Sequence, residues 1–179
     1  VCCILNGKGE WENCLFVKGG SKYAHACRQL WEKIDKSRSS GSQGNDPKAN
    51  NRYWVKLKNL HEYYAHQFSR QVIDYCQKQN AKILVLPEYD KEYARIIYGA
   101  AGADSPLRLN NSIREKLKYK GWQQGIVTTE VQQHDISSVC AVCGGKIKQK
   151  GAEFVCENGH RGNVYLNMAQ NLGKKVKLI

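Results

Sequence analysis

The sequence predicts a mixed α/β protein with a small metal-binding insert, and three features predict it. A continuous apolar run, Lys82-Ile-Leu-Val-Leu86, follows a long amphipathic pattern and stops at Pro87, as a strand buried on both faces would. Strand-like and helical segments alternate, with the long helices serving as crossovers. Near the C-terminal end, three cysteines and a histidine fall at metal-ligand spacing.

The elements follow in order. Val1–Leu5 and Asn13–Lys18 read as two strands, joined through Asn6–Glu12 with a turn signal at Asn6-Gly7. Tyr23–Lys36 reads as a helix with Leu30, Trp31 and Ile34 on one side. Ser37–Asn51, rich in Ser, Gly, Asn and Lys, reads as a loop. In Arg52–Gln79, Trp54, Leu57, Tyr64, Phe68, Val72 and Tyr75 or Cys76 recur at three- and four-residue steps, giving one apolar stripe. The buried strand follows, and Glu88 stands just past its end, where open α/β sheets place ligands and catalytic groups. Beyond a variable stretch, Tyr89–Leu107, come a helix at Asn110–Lys120, a strand at Gly125–Glu130, the cysteine cluster and a final helix at Val164–Lys177.

The chain has 179 residues with 41% hydrophobic content, enough for one compact domain and an accessory module. No apolar run approaches the roughly 20 residues of a membrane span. The chain opens on Val1 without a signal-peptide pattern, so a cytoplasmic protein, and a piece of a longer one, is expected. The formal charge is +12, from 28 Lys and Arg against 16 Asp and Glu. Such an excess favours polyanions, because each phosphate neutralised releases condensed counterions. Of eight cysteines, the five outside the cluster read as small buried hydrophobes in a reduced protein.

Cys140-Ala-Val-Cys143 is followed by Gly144-Gly145 and then by Cys156-Glu-Asn-Gly-His160. Two ligands on one tight turn, closed by a second pair across a short hairpin at Lys146–Val155, make the tetrahedral set that zinc prefers. Four protein ligands leave no open position for water, so a structural Zn2+ is expected. Cys-x3-His is an unusual second pair, which makes His160 the least typical of the four.

Ile136-Ser-Ser-Val-Cys140-Ala-Val-Cys143-Gly144 is similar to a Thr-Ser-x-x-Cys-x-x-Cys-Gly motif, and Asn167-Met-Ala-Gln-Asn171-Leu172 to Asn-Ala-Ala-x-Asn-Ile. In order and spacing, these resemble the C-terminal RuvC-like half of TnpB transposon proteins and type V CRISPR effectors, which are RNA-guided DNA nucleases. The resemblance implies an RNase H-like mixed sheet flanked by helices, with an inserted zinc ribbon. It divides the chain into a core at 1–135, a ribbon at 136–162 and a last core helix at 163–179. It also implies guide RNA and target DNA as partners, with an N-terminal half or transposition partners supplied elsewhere, and no membrane.

In that family an Asp on the first strand, a Glu after the fourth and an Asp on the last helix hold two Mg2+ ions. Such paired ions activate water and stabilise the leaving oxygen. Glu88 matches the Glu. The first Asp falls near Ile4 to Asn6, none of them acidic, and the last falls on Tyr165; no Asp or Glu follows Glu157. A phenol and a neutral amide are poor ligands for hard cations. The expectation is therefore a nuclease-inactive, RNA-guided DNA-binding domain, with Mg2+ relevant only to a live site. Competing readings are an active endonuclease with relocated ligands, drawing on Glu10 or Glu12, and a decayed transposase remnant. Candidate backbone contacts are Lys22, Arg28, Lys33, Lys36, Arg38, Arg52, Lys56 and Lys58. Trp31 and Tyr53 are candidates for stacking on bases.

Overall fold

The computed structural model describes residues 1–39, 50–89 and 91–176, excluding the side chains of 91–94 and 97. Two strands, β1 (Cys2–Leu5) and β2 (Trp11–Leu15), form an antiparallel hairpin with Cys3 opposite Cys14. Helices α1 (Gly20–Ser39) and α2 (Asn51–Lys78) follow, then β3 (Ile83–Glu88), α3 (Lys91–Ala100), a 3-10 turn at Pro106–Leu109 and α4 (Asn110–Gln123). Strand β4 (Val127–Gln132) pairs with β3 in parallel, in register from Ile83–Val127 to Glu88–Gln132. Strands β5 (Ile147–Lys150), β6 (Glu153–Cys156) and β7 (Arg161–Asn163) form a small antiparallel sheet, and α5 (Val164–Lys174) completes the order.

The fold is mixed α/β, as expected. Its main-sheet strands occur as two separate hydrogen-bonded ladders, β1–β2 and β3–β4. Helix α5 packs on both β1 and β3 and so ties the two ladders together. Leu84 and Leu86 of β3 point into a core with Val72, Ile73 and Cys76 of α2, Leu117 of α4 and Ile126. A second core joins Tyr23 and Cys27 of α1 to Leu57 and Phe68 of α2 and to Leu109. Val17 and Ile113 touch both cores.

A polar seam accompanies this packing. Lys116 is buried on α4, with its Nζ 2.7 Å from the Glu62 carboxylate of α2 and 3.0 Å from Ser112 Oγ. Lys120 Nζ donates to Ser69 Oγ at 2.8 Å and to the His66 carbonyl at 3.0 Å. Ammonium groups partnered in this way across α2 and α4 fix the register of the two helices.

Several expectations shift. Strand β2 begins two residues earlier than the pattern indicates. In α1 the fully buried residues are Tyr23, Cys27 and Ile34, while Leu30 and Trp31 are half-buried. Helix α3 lies inside the stretch that reads as variable, because a helix this short, with Gly99 in its last turn and Gly102 just beyond, leaves little periodic signal. Cys27 and Cys76 are buried as expected, but Cys2, Cys3 and Cys14 are only half-buried. Residues 40–49 of the expected loop and 177–179 of the last segment lie outside the described residues.

Candidate metal centre and nucleic-acid interface

The Cys140, Cys143, Cys156 and His160 ligand atoms all lie within 4.8 Å of one another. Two turns place them. In the first, the Gly144 amide donates to the Cys140 carbonyl at 2.8 Å, with Gly144 at φ +74°, a backbone state that side chains resist. In the second, the Gly159 amide donates to the Cys156 carbonyl at 3.0 Å, with Gly159 at φ +84°. Phe154 and Ile147 pack behind Cys140 and Cys156.

The separations suit a tetrahedral ion. With Zn–S bonds of about 2.3 Å, the sulfur–sulfur edge of a tetrahedron is about 3.8 Å. Cys143 and Cys156 Sγ stand 3.8 Å apart, and Cys156 Sγ lies 3.3 Å from His160 Nδ1. The Asn158 amide, 3.3 Å from Cys143 Sγ, leads the groups that pull this exposed thiol down to about 6. Burial pushes the Cys156 thiol up. A thiolate-rich set of this kind could hold a structural metal such as zinc.

The ribbon is held to the body by two asparagines that the sequence presents only as motif letters. On α5, Asn167 Oδ1 accepts from the Ala141 amide at 2.7 Å, and its Nδ2 donates to the Val139 carbonyl at 2.8 Å. One turn on, Asn171 Nδ2 donates to the Ile136 carbonyl at 3.0 Å and to the Val139 carbonyl at 2.8 Å. Lys174 Nζ adds a 2.6 Å bond to the Ala141 carbonyl. Both asparagines are buried. Their four-residue spacing on one helix face was the available signal.

The positions expected to carry carboxylates are differently employed. Asn6 closes the β1–β2 turn: its Oδ1 accepts from the Lys8 and Glu10 amides at 3.0 Å each, and its Nδ2 donates to Glu10 Oε2 at 2.9 Å. Glu10 is therefore held within its own hairpin. Tyr165 is exposed at the start of α5, where Asn163 Oδ1 caps its amide at 3.0 Å. Glu88 is exposed at the end of β3, opposite Gln132. Beside it, Arg114 donates to the Pro87 carbonyl and pairs with Glu130 at 2.9 Å, while its guanidinium carbon lies 5.3 Å from the Tyr89 ring centroid.

The structure does not gather Asn6 with Tyr165. Leu5 packs on Gly173, and the open side of Gly9 faces Lys174, so the hairpin end sits at the far end of α5. Gly173 is eight residues beyond Tyr165, about 12 Å along a helix axis.

All eight proposed backbone-contact cations are exposed. Arg28 is occupied, with Asp104 Oδ2 2.8 Å away. Trp31 stands edge-on to Trp54 at 5.1 Å, and Arg38 lies 5.8 Å from the Trp54 ring centroid. The end of α1 therefore lies beside the start of α2, which places Lys36 and Arg38 near Arg52, Lys56 and Lys58. Neither proposed stacking residue offers a free face: Trp31 is half-buried against Trp54, and Arg52 covers Tyr53 at 4.7 Å.

These features define a mixed α/β fold bearing a ribbon-like Cys3His cluster clamped to its last helix. Residues 111–172 match the family model described as Cas12f1-like, TNB domain. The match takes in most of α4, then β4, the ribbon and most of α5. No curated protein matches the chain. Among solved structures, the chain is similar to one in the cryo-EM structure of the Cas12f1–sgRNA–target DNA complex, with a TM-score of 0.69 at 16% identity. That similarity covers 93% of this chain and 46% of the other, so the chain spans about half the length of that relative. The family-model match bears out the resemblance over residues 111–172, and the structural similarity shows a shared fold.

Proposed function

We propose that the chain is a nucleic-acid-binding, TnpB- or Cas12f-like RuvC-type domain without nuclease activity of its own. Guide RNA and target DNA are its partners, by analogy with the complex to which it is similar. The observation that carries the binding reading is the cationic junction of α1 and α2. Lys36, Arg38, Arg52, Lys56 and Lys58 are exposed there and, among the described residues, form no ion pair with a carboxylate. Glu32 and Asp35 dilute the second half of α1, and the cations of the α2 start, Arg52, Lys56 and Lys58, carry the larger share of the junction's charge. Lys33 extends it, Lys22 stands at the opposite end of α1, and Arg28 is withdrawn by Asp104.

The silent-site reading rests on three facts. Asn6 is committed to a turn, the first turn of α5 carries no acid, and a guanidinium is fixed next to Glu88. Two divalent ions need several carboxylates converging on one point, and the carboxylate of Glu130 on the neighbouring strand is already paired with Arg114 and Lys118. In this reading residues 1–135 and 163–179 form the body, and 136–162 is a structural zinc ribbon that orients nucleic acid without cutting it. No helix among the described residues is long and apolar enough to cross a membrane, and a cytoplasmic site of action accords with these partners.

The test combines binding and cleavage on the purified chain. Labelled RNA and DNA should bind with steep salt dependence, and charge reversal of Lys36 with Arg38 should weaken binding and flatten the salt slope. No Mg2+- or Mn2+-dependent cleavage should appear. Cleavage abolished by Glu88→Ala would overturn the silent-site reading, and salt-insensitive or absent binding would overturn the binding one.

A further inference from the structure

Beside the cationic junction lies an open groove of about 370 Å3, lined by Trp54, Leu57, Lys58, His61 and Glu62 of α2, by Arg108 and Leu109 of the 3-10 turn, and by Ser112 of α4. A volume of this size accommodates one small polar ligand. We infer that this groove is a subsite for a single nucleotide of a single-stranded nucleic acid, its base against Trp54 and its phosphate between Lys58 and Arg108. The inference rests on the nucleic-acid-binding reading above and gives it a specific location.

The lining supplies both chemistries. Trp54 is at the exposed border, 36% accessible, with Trp31 at right angles to it at 5.1 Å and the Arg38 guanidinium 5.8 Å from its ring centroid, where a stacking base would displace it. The Trp31 contact leaves this aromatic wall little freedom to lose on binding. Arg108 is aimed by two carbonyls: its Nε donates to Gly102 O and its Nη2 to Ala101 O, both at 3.1 Å. Among the described residues no carboxylate pairs with Arg108 or Lys58, so both charges are available to a phosphate.

The one acid in the groove is already answered. Glu62 lies 2.7 Å from Lys116 Nζ, and that contact holds its carboxyl below the ordinary range. Lys58, Arg108 and Lys116 thus stand against a single carboxylate. His61, whose ring is partly buried beside Arg108, is kept in its neutral form by burial first and that neighbour second. Its Nε2 lies 3.6 Å from Cys27 Sγ, which leaves Nδ1 as the ring's remaining polar atom. Continuity with Lys56, Arg52 and Arg38 lets a strand pass from the junction into the groove.

The experiment is fluorescence anisotropy of labelled 20-nucleotide oligo(dT) and oligo(U) binding to the full chain at several salt concentrations. Lys58→Ala should weaken binding and reduce the slope of log K against log salt by roughly 0.7, the value for one phosphate contact on a single strand. Arg108→Gln should do the same. Arg108→Lys, which retains the charge, separates loss of charge from loss of the loop anchor. Trp54→Leu should lower affinity roughly five- to hundredfold with the slope unchanged, and Trp54→Phe should recover most of it. If the chain binds both polymers and these variants bind as tightly with the same slope, the groove assignment is overturned while the binding reading stands. If the unaltered chain binds neither polymer, both fail together.

Discussion

Replacing Asn167 by Ala removes the keystone between α5 and the ribbon, and the cost can be worked from its contacts. Asn167 is 3% exposed, accepts from the Ala141 amide at 2.7 Å and donates to the Val139 carbonyl at 2.8 Å. Val139 O retains Asn171, but the buried Ala141 amide has no other bond among those described. An orphaned buried donor costs about 1–3 kcal/mol and a lost net hydrogen bond about 1 kcal/mol, so Asn167→Ala should destabilise by about 2–4 kcal/mol. For a chain of this size that lowers the melting temperature by roughly 4–16 °C. Asn171→Ala removes only donors, and one of its two carbonyls keeps a partner, so it should cost about 1–2 kcal/mol. Asn167→Asp should not rescue the loss, because its second oxygen would face the Val139 carbonyl. Thermal unfolding of the zinc-loaded chain, read beside zinc release to a chromogenic chelator, measures both effects. A cost for Asn167→Ala below about 0.5 kcal/mol, or no greater than that of Asn171→Ala, would refute the clamp.

Three further outcomes follow from single contacts. A Cβ on Gly173 would lie 2.4 Å from Leu5 Cδ1, so Gly173→Ala should destabilise by about 1–3 kcal/mol by overpacking, and adding Leu5→Ala should recover part of it in urea titration. Lys118 at 2.6 Å and Arg114 at 2.9 Å hold the Glu130 carboxyl below its ordinary value of 4.5. Its contribution is thus complete above that pH and lost as pH falls through the lower folded value; Glu130→Gln should match the parent's stability at low pH and fall short of it near neutrality. Cys140→Ser should abolish stoichiometric zinc by elemental analysis and raise hydrogen exchange in 146–156, leaving the β3–β4 core protected.

The Cys3His cluster and the two large helices were legible because their signals are local. A Cys-x2-Cys step with glycine after it describes one turn, and an apolar stripe such as Leu57, Phe68, Val72 and Cys76 describes one helix face. The sequence pattern stops this strand at Pro87 and sets Glu88 just past it, whereas β3 runs through Pro87 and ends on Glu88, both paired with β4. What lay beyond the sequence depends on contacts between distant residues. Nothing local tells that Arg28 meets Asp104, that Trp31 is spent on Trp54, or that Asn167 and Asn171 serve the backbone of a loop some 30 residues away. Arg108 is the plainest case. It stands in a stretch without periodicity, and only the 3-10 turn that brings it opposite α2 makes it part of a groove.

The same distinction decides what restoring the two carboxylates would accomplish. Asn6→Asp with Tyr165→Asp rewrites the letters, but the hairpin end lies against Gly173 and Lys174, about two helical turns from Tyr165. An Asp at position 6 would still accept from the Lys8 and Glu10 amides, which keeps it in its own turn, and it would meet Glu10 in place of the amide donor. Two carboxylates brought so close share a proton or part; neither outcome carries one toward Glu88. An Asp at 165 would gain the favourable start of α5 without a partner there. The double variant should therefore fold, with a slightly looser hairpin, and still fail to cut DNA with Mg2+ or Mn2+. Metal-dependent cleavage by that variant, lost again on Glu88→Ala, would show that the three positions converge in solution, and the geometric account of the silent site would have to be abandoned.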